Sequence, residues 1–77
     1  MLDKNDYRNM MNDFYYSYAE QVRRLRESSG VSFEELSQET HIPIVFLKKM
    51  EIGQNKEWGN IFLLARFYDK KIRLEFY

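Results

Sequence analysis

Along the first third of the chain, apolar residues recur at helical intervals. Phe14, Tyr18, Val22 and Leu25 follow at spacings of four, four and three, which places them on one helix face. The pattern predicts a first helix over about 7–27. Ser28-Ser29-Gly30 closes it, with Gly30 suited to the left-handed position just past a helix end. Ser32-Phe33-Glu34-Glu35 then reads as a capping box, in which Ser32 accepts from the Glu35 amide and the Glu35 carboxylate reaches back to the amide of Ser32. A short second helix follows, to about Glu39, with Phe33 and Leu36 apolar. Thr40-His41 predicts a tight turn, since His tolerates positive φ better than most non-glycine residues. Pro43 fits the first turn of a third helix, where its missing N–H costs nothing. That helix is expected to reach about Glu51 and to stop at Gly53. A polar loop at 54–57 leads to a fourth helix over about 58–69, with Ile61, Leu64, Ala65 and Tyr68 as its inner stripe.

The tail changes period. From Lys71 to Tyr77 polar and apolar residues alternate, so Ile72, Leu74 and Phe76 share a face, as in a half-buried strand over about 71–76. A lone strand has no hydrogen-bond partner in its own chain. It is therefore either frayed or paired with a second copy, which would make Ile72, Leu74 and Phe76 the dimerisation residues of a symmetric homodimer. There is no internal repeat and no low-complexity segment. The expected architecture is mostly α, a single domain over 1–77 with a short C-terminal β-strand.

Composition narrows the class. The sequence has 77 residues, room for one small domain. A chain of this length buries only ~60% of its unfolded surface, so each large side chain matters. It contains no Cys, hence no disulfide and no thiolate metal site, a usage that fits the cytoplasm. No apolar run approaches the ~20 residues of a membrane span, and the polar, acidic Met1-Leu2-Asp3-Lys4-Asn5-Asp6 is unlike a secretory signal.

The net charge is zero, with 12 Lys+Arg against 12 Asp+Glu, but the charges are sorted. Val22-Arg23-Arg24-Leu25-Arg26 is a basic island, as are the surroundings of Lys48, Lys49 and Lys56 and the stretch Arg66 to Arg73. The segments 1–20 and 27–39 are acidic. Aromatics are sorted as well, with Tyr7, Phe14, Tyr15, Tyr16 and Tyr18 early and Trp58, Phe62, Phe67, Tyr68, Phe76 and Tyr77 late. Such ends are expected to pack together or onto a partner. Nothing points to catalysis. His41, the one His, sits in a turn, Glu34 and Glu35 suit capping and surface roles, and there is neither a Gly-rich phosphate loop nor metal-ligand spacing. The expectation is a protein that is not an enzyme and takes no cofactor and no metal.

The second helix, short turn and third helix have the lengths of a helix-turn-helix. Val22-Arg23-Arg24-Leu25-Arg26, then Gly30-Val31-Ser32-Phe33-Glu34-Glu35-Leu36-Ser37, then Ile42-Pro43-Ile44-Val45-Phe46-Leu47-Lys48-Lys49-Met50-Glu51-Ile52-Gly53, resembles the Xre/Cro (lambda-repressor-like) helix-turn-helix family over residues 18 to about 70. The resemblance implies a dimeric, sequence-specific transcriptional regulator that lays the helix at 43–51 in the major groove of double-stranded DNA. Lys49 would donate to guanine O6 or N7, and Ile44 and Val45 would touch thymine methyl groups. Lys48 and Lys56 would meet phosphates, as would the helix starts near Ser32-Phe33 and Pro43. Arg26 and Glu51 match a pair that forms an internal salt bridge in family members.

The segment Glu39 to Leu47 is also similar to the RodZ-type variant of this motif, which binds a protein filament instead of DNA. Pro43, Ile44 and Val45 stand where the family usually offers Ser, Thr, Gln, Arg or Asn. An apolar patch of exposed Phe33, Ile44 and Val45 would suit a protein partner.

Overall fold

The computed structural model describes residues 4–54 and 57–77. Four helices follow in order: α1 (Lys4–Ser29), α2 (Phe33–Thr40), α3 (Ile44–Met50) and α4 (Trp58–Phe67). The protein is mostly α. At ~1.5 Å rise per residue, the 26 residues of α1 account for most of the molecule's longest dimension in an envelope of 44 × 23 × 20 Å. Helices α2, α3 and α4 gather on the C-terminal half of α1. There Val22 joins Leu36, Ile42, Leu47, Met50 and Leu64 in one buried cluster. Tyr18, Val31, Phe33, Ile61 and Tyr68 pack against it, each partly exposed.

Each helix is stopped by a residue in the left-handed region: Gly30, His41, Gly53 and Asp69. The hydrogen bonds explain why. Gly30 N–H donates to Arg26 C=O and His41 N–H to Ser37 C=O, so each satisfies a carbonyl the helix end would orphan. Behind Gly53 and Asp69 the closure is doubled. Gln54 N–H reaches Lys49 C=O and Gly53 N–H reaches Met50 C=O, while Lys70 and Asp69 do the same to Ala65 and Arg66. Gly53 has a second reason to lack a side chain, because a Cβ there would lie 3.3 Å from the Tyr16 ring and 3.4 Å from the Tyr15 carbonyl.

Several expectations are adjusted. α1 begins three residues earlier than predicted and ends two later. Small Ala19, which the apolar stripe passed over, is buried, whereas Phe14 is exposed. Ser32 caps α2 by accepting from the Glu35 amide at 3.1 Å, but the reciprocal half differs: the Ser32 hydroxyl donates to the Glu35 carboxylate. Pro43 is the residue before α3 rather than its first turn, and its carbonyl accepts from Phe46 and Leu47. The tail past Lys70 forms no strand. Among the described residues there is no other strand for it to pair with.

Candidate nucleic-acid interface

Two short helices joined by a turn need a rigid joint between them, and here it is made locally. Thr40, buried at the end of α2, donates its hydroxyl to Leu36 C=O at 2.6 Å and accepts from Ile42 N–H at 3.3 Å. One side chain thus satisfies a carbonyl of α2 and the first amide beyond the left-handed His41. Ile42 then drops into the core, and Pro43 fixes the entry to α3. The sequence marked Thr40 only as part of the turn with His41. A short hydroxyl side chain just before a turn is the signal that points to it.

α3 turns Leu47 and Met50 inward, both almost fully buried. The opposite side presents Val45, Lys48 and Lys49, all exposed, beside exposed Pro43 and half-buried Ile44. Phe46, outside the predicted set, is exposed too and lies under the Lys49 ammonium, 5.8 Å from the ring centre.

Phe33 differs from the expectation of an exposed patch residue. It is half-buried against the core, with the Arg26 guanidinium 4.3 Å over its ring centre and the Lys48 ammonium 5.7 Å away. The ring thereby orients two cations instead of offering an apolar surface. Of the proposed patch, only Val45 stands fully out. Ser32 is also committed elsewhere, its hydroxyl and its acceptor both spent on Glu35. Lys56 lies outside the described residues.

Arg26 and Glu51 anchor this surface to α1. The guanidinium donates from Nε to Oε2 at 2.6 Å and from Nη2 to Oε1 at 3.0 Å. Their side chains are 22% and 8% exposed, respectively. The hydrogen bond to Glu51 holds the Arg26 pKa above its already high ordinary value, so the guanidinium stays charged. Tyr68 sits at the same corner. Burial raises its phenol pKa above 10.0 and Glu51 adds to this, while Arg26 and Ser29 pull the other way. Two further ion pairs of α1, Arg24 with Glu20 and Arg23 with Glu27, join exposed neighbours one turn apart.

An open groove of about 820 Å³ runs between α1, α4 and the tail, walled by residues that include Phe14, Tyr18, Trp58, Phe62, Ile72 and Leu74. The early and late aromatics meet in it. Trp58 lies 5.5 Å from Phe14, 6.4 Å from Tyr15 and 6.1 Å from Tyr18, centre to centre.

No family model, curated protein or solved structure matches the chain. Among the described residues, no group of three or more His, Asp or Glu side chains could hold a metal ion, and no helix is long and apolar enough to cross a membrane.

Proposed function

We propose that this chain is a DNA-binding transcriptional regulator of the Xre/Cro type, with α2, the turn at 41–43 and α3 acting as a helix-turn-helix. The observation that carries the reading is the two-sidedness of α3. Its inner residues are locked in the core, and Lys48 and Lys49 stand side by side on an outer face held by the Arg26–Glu51 pair. In this reading Lys49 contacts a guanine edge, Val45 and Ile44 lie against thymine methyl groups, and Lys48, poised by Phe33, meets a phosphate. Two copies bind a pseudo-palindrome with half-sites about one helical turn, ~34 Å, apart. The cytoplasm is the compartment this reading assigns.

With no net positive charge, affinity for bulk DNA is expected to be modest and specific binding to depend on dimerisation. Selection from random duplex DNA at moderate salt tests the reading. Enrichment of a two-fold-related site supports it, and a pool that stays random after repeated rounds refutes it.

One observation favours a second reading. The outer face of α3 carries exposed Val45 and Phe46 and no Ser, Thr, Gln, Arg or Asn, the chemistry of a protein-binding helix-turn-helix of the RodZ type. Val45→Glu separates the two readings by abolishing a saturable protein complex in a chain that never enriches DNA.

A further inference from the structure

The groove between α1, α4 and the tail changes character along its length. Its floor belongs to the core, since Val22 and Leu64 are both buried and both line it. Residues that are already packed therefore fix its base. On its sides Trp58 and Phe62 stay 46% and 59% exposed, so much of their apolar surface is left uncovered. α1 flanks the groove from Phe14 to Ser28, a run of about 20 Å at the helical rise per residue. At one end Trp58 packs on Phe14, ring centres 5.5 Å apart. α4 then runs alongside α1, because Tyr68, just past its end, lies at the Arg26–Glu51 corner. Lys70 and Lys71 follow at that second end, where the Lys70 amide donates to Ala65 C=O at 2.8 Å.

Charge in the groove has one sign. Arg24, Lys70, Lys71 and Arg73 line it, and no Asp or Glu does, on a chain whose charges sum to zero. Arg24 and Arg73 have carboxylate partners, Glu20 and Glu75, that stand outside the walls. Lys70 and Lys71 make no ion pair among the described residues. An apolar channel that ends on unneutralised cations is complementary to a molecule with an apolar chain and an anionic head. The volume of about 820 Å³ falls within the roughly 300–1,000 Å³ of small-molecule sites. A concave channel suits one chain at a time, whereas a bilayer surface takes an apolar face that can be pushed into it.

We propose that the groove is a binding site for a free anionic amphiphile, a long-chain carboxylate, with its hydrocarbon over Phe62 and Trp58 and its head between Lys70 and Lys71. Burial of methylenes against the aromatic walls supplies most of the affinity. The two lysines set the direction in which the chain lies and the sign of the head group. The site is separate from the outer face of α3 and does not depend on the DNA reading.

Trp58, the one Trp of the chain, reports occupancy by its fluorescence. Laurate, added to the full chain below its micelle concentration, should give a saturable blue shift at one ligand per chain. Decanoate should bind about tenfold more weakly, for the two methylenes it lacks. The dodecyltrimethylammonium cation should also bind about tenfold more weakly than laurate, because its head carries the wrong sign. Lys70→Glu with Lys71→Glu should weaken laurate about tenfold and reverse the preference for head group. Lys4→Glu with Arg66→Glu makes the same charge change outside the groove walls and should alter laurate binding by less than about twofold. Equal affinity for the two head groups overturns the proposal, because an apolar surface alone would then account for binding. Equal losses in the two double variants overturn it as well, since net charge would explain them. The absence of a saturable shift also refutes it, whether sedimentation then finds a second copy over the groove or the chain takes up anionic vesicles or an acidic amphipathic peptide instead.

Discussion

The two ends of α1 sit in different kinds of surroundings. Around its C-terminal half, α2, α3 and α4 supply a closed core, a two-pronged ion pair and helix ends capped by backbone hydrogen bonds. Around its N-terminal half the partners are aromatic rings that leave much of themselves in solvent. Tyr7, Met10, Phe14, Tyr16 and Trp58 are all exposed. The first region satisfies itself, as a recognition surface must if its side chains are to be held in position. The second leaves its rings in solvent, and the open groove that starts there at Phe14 runs on along the C-terminal half of α1, past Tyr18 and Leu25 to Ser28. The difference assigns the two regions different tasks: one presents a rigid face, and the other invites association.

The largest effect is expected where the rigid region is cut. Arg26→Ala strands Glu51 in a nearly buried site and should cost about 3–5 kcal/mol, enough to unfold much of so small a domain. The joint change Arg26→Met with Glu51→Met should restore most of that stability, because it removes both charges together. Urea melts of the three proteins check this. Equal losses in the single and double variants would show that the pair contributes more than its own neutralisation.

Trp58→Ala strikes the other region. It deletes three ring contacts, each worth about 0.5–1.5 kcal/mol beyond burial, and should loosen α1 ahead of Tyr18 without exposing Leu47 or Met50. Hydrogen exchange is the measurement. Uniform loss of protection across α2 and α3 would mean that the two regions are not separable.

A smaller effect separates the two glycine stops. Both have positive φ, yet a Cβ at Gly30 meets nothing within 4 Å, whereas at Gly53 it meets α1. Gly30→Ala should cost roughly 1–2 kcal/mol for the left-handed backbone alone. Gly53→Ala should cost more, by the strain between the α3 turn and Tyr15 and Tyr16. Identical melting shifts would count against that contact.

The smallest effect is titrational. Burial raises the phenol pKa of Tyr18 and of Tyr68 above 10.0. The folded chain therefore holds these protons more tightly than the unfolded one. The favourable term is complete below the unfolded pKa and is lost as pH rises through the folded value, so stability should decline above about pH 10. In Tyr18→Phe with Tyr68→Phe that decline should be shallower. An unchanged slope would place the alkaline loss on other groups.

What was legible in the sequence was local. Gly30, Gly53, the Ser32 cap and the His41 turn follow from short-range backbone rules, and Leu36 and Leu64 follow from helical periodicity. What was not legible depended on neighbours distant in sequence. Phe33 looked like a surface residue because its own helix gives no hint that Arg26 and Lys48 converge on it. Asp69 adopts the left-handed stop usually given to glycine, which Asp tolerates as His does, but the sequence pattern carried the fourth helix through it. Alternation in the tail describes which side chains share a face, but a strand needs a second one beside it. The candidate surface was readable as a set of outward positions on α3. Which of them are free and which are held by a neighbour required the packed arrangement.

In the proposed function, α3 presents its outer face to DNA. The most direct test is a map of backbone amide shifts in the labelled chain as an enriched duplex is added. The largest changes are expected over 43–49, centred on Val45, Lys48 and Lys49, with little change at Leu36 or Leu64. Shifts gathered instead around Trp58 and Phe62, or no shifts at all at saturating duplex, would contradict it.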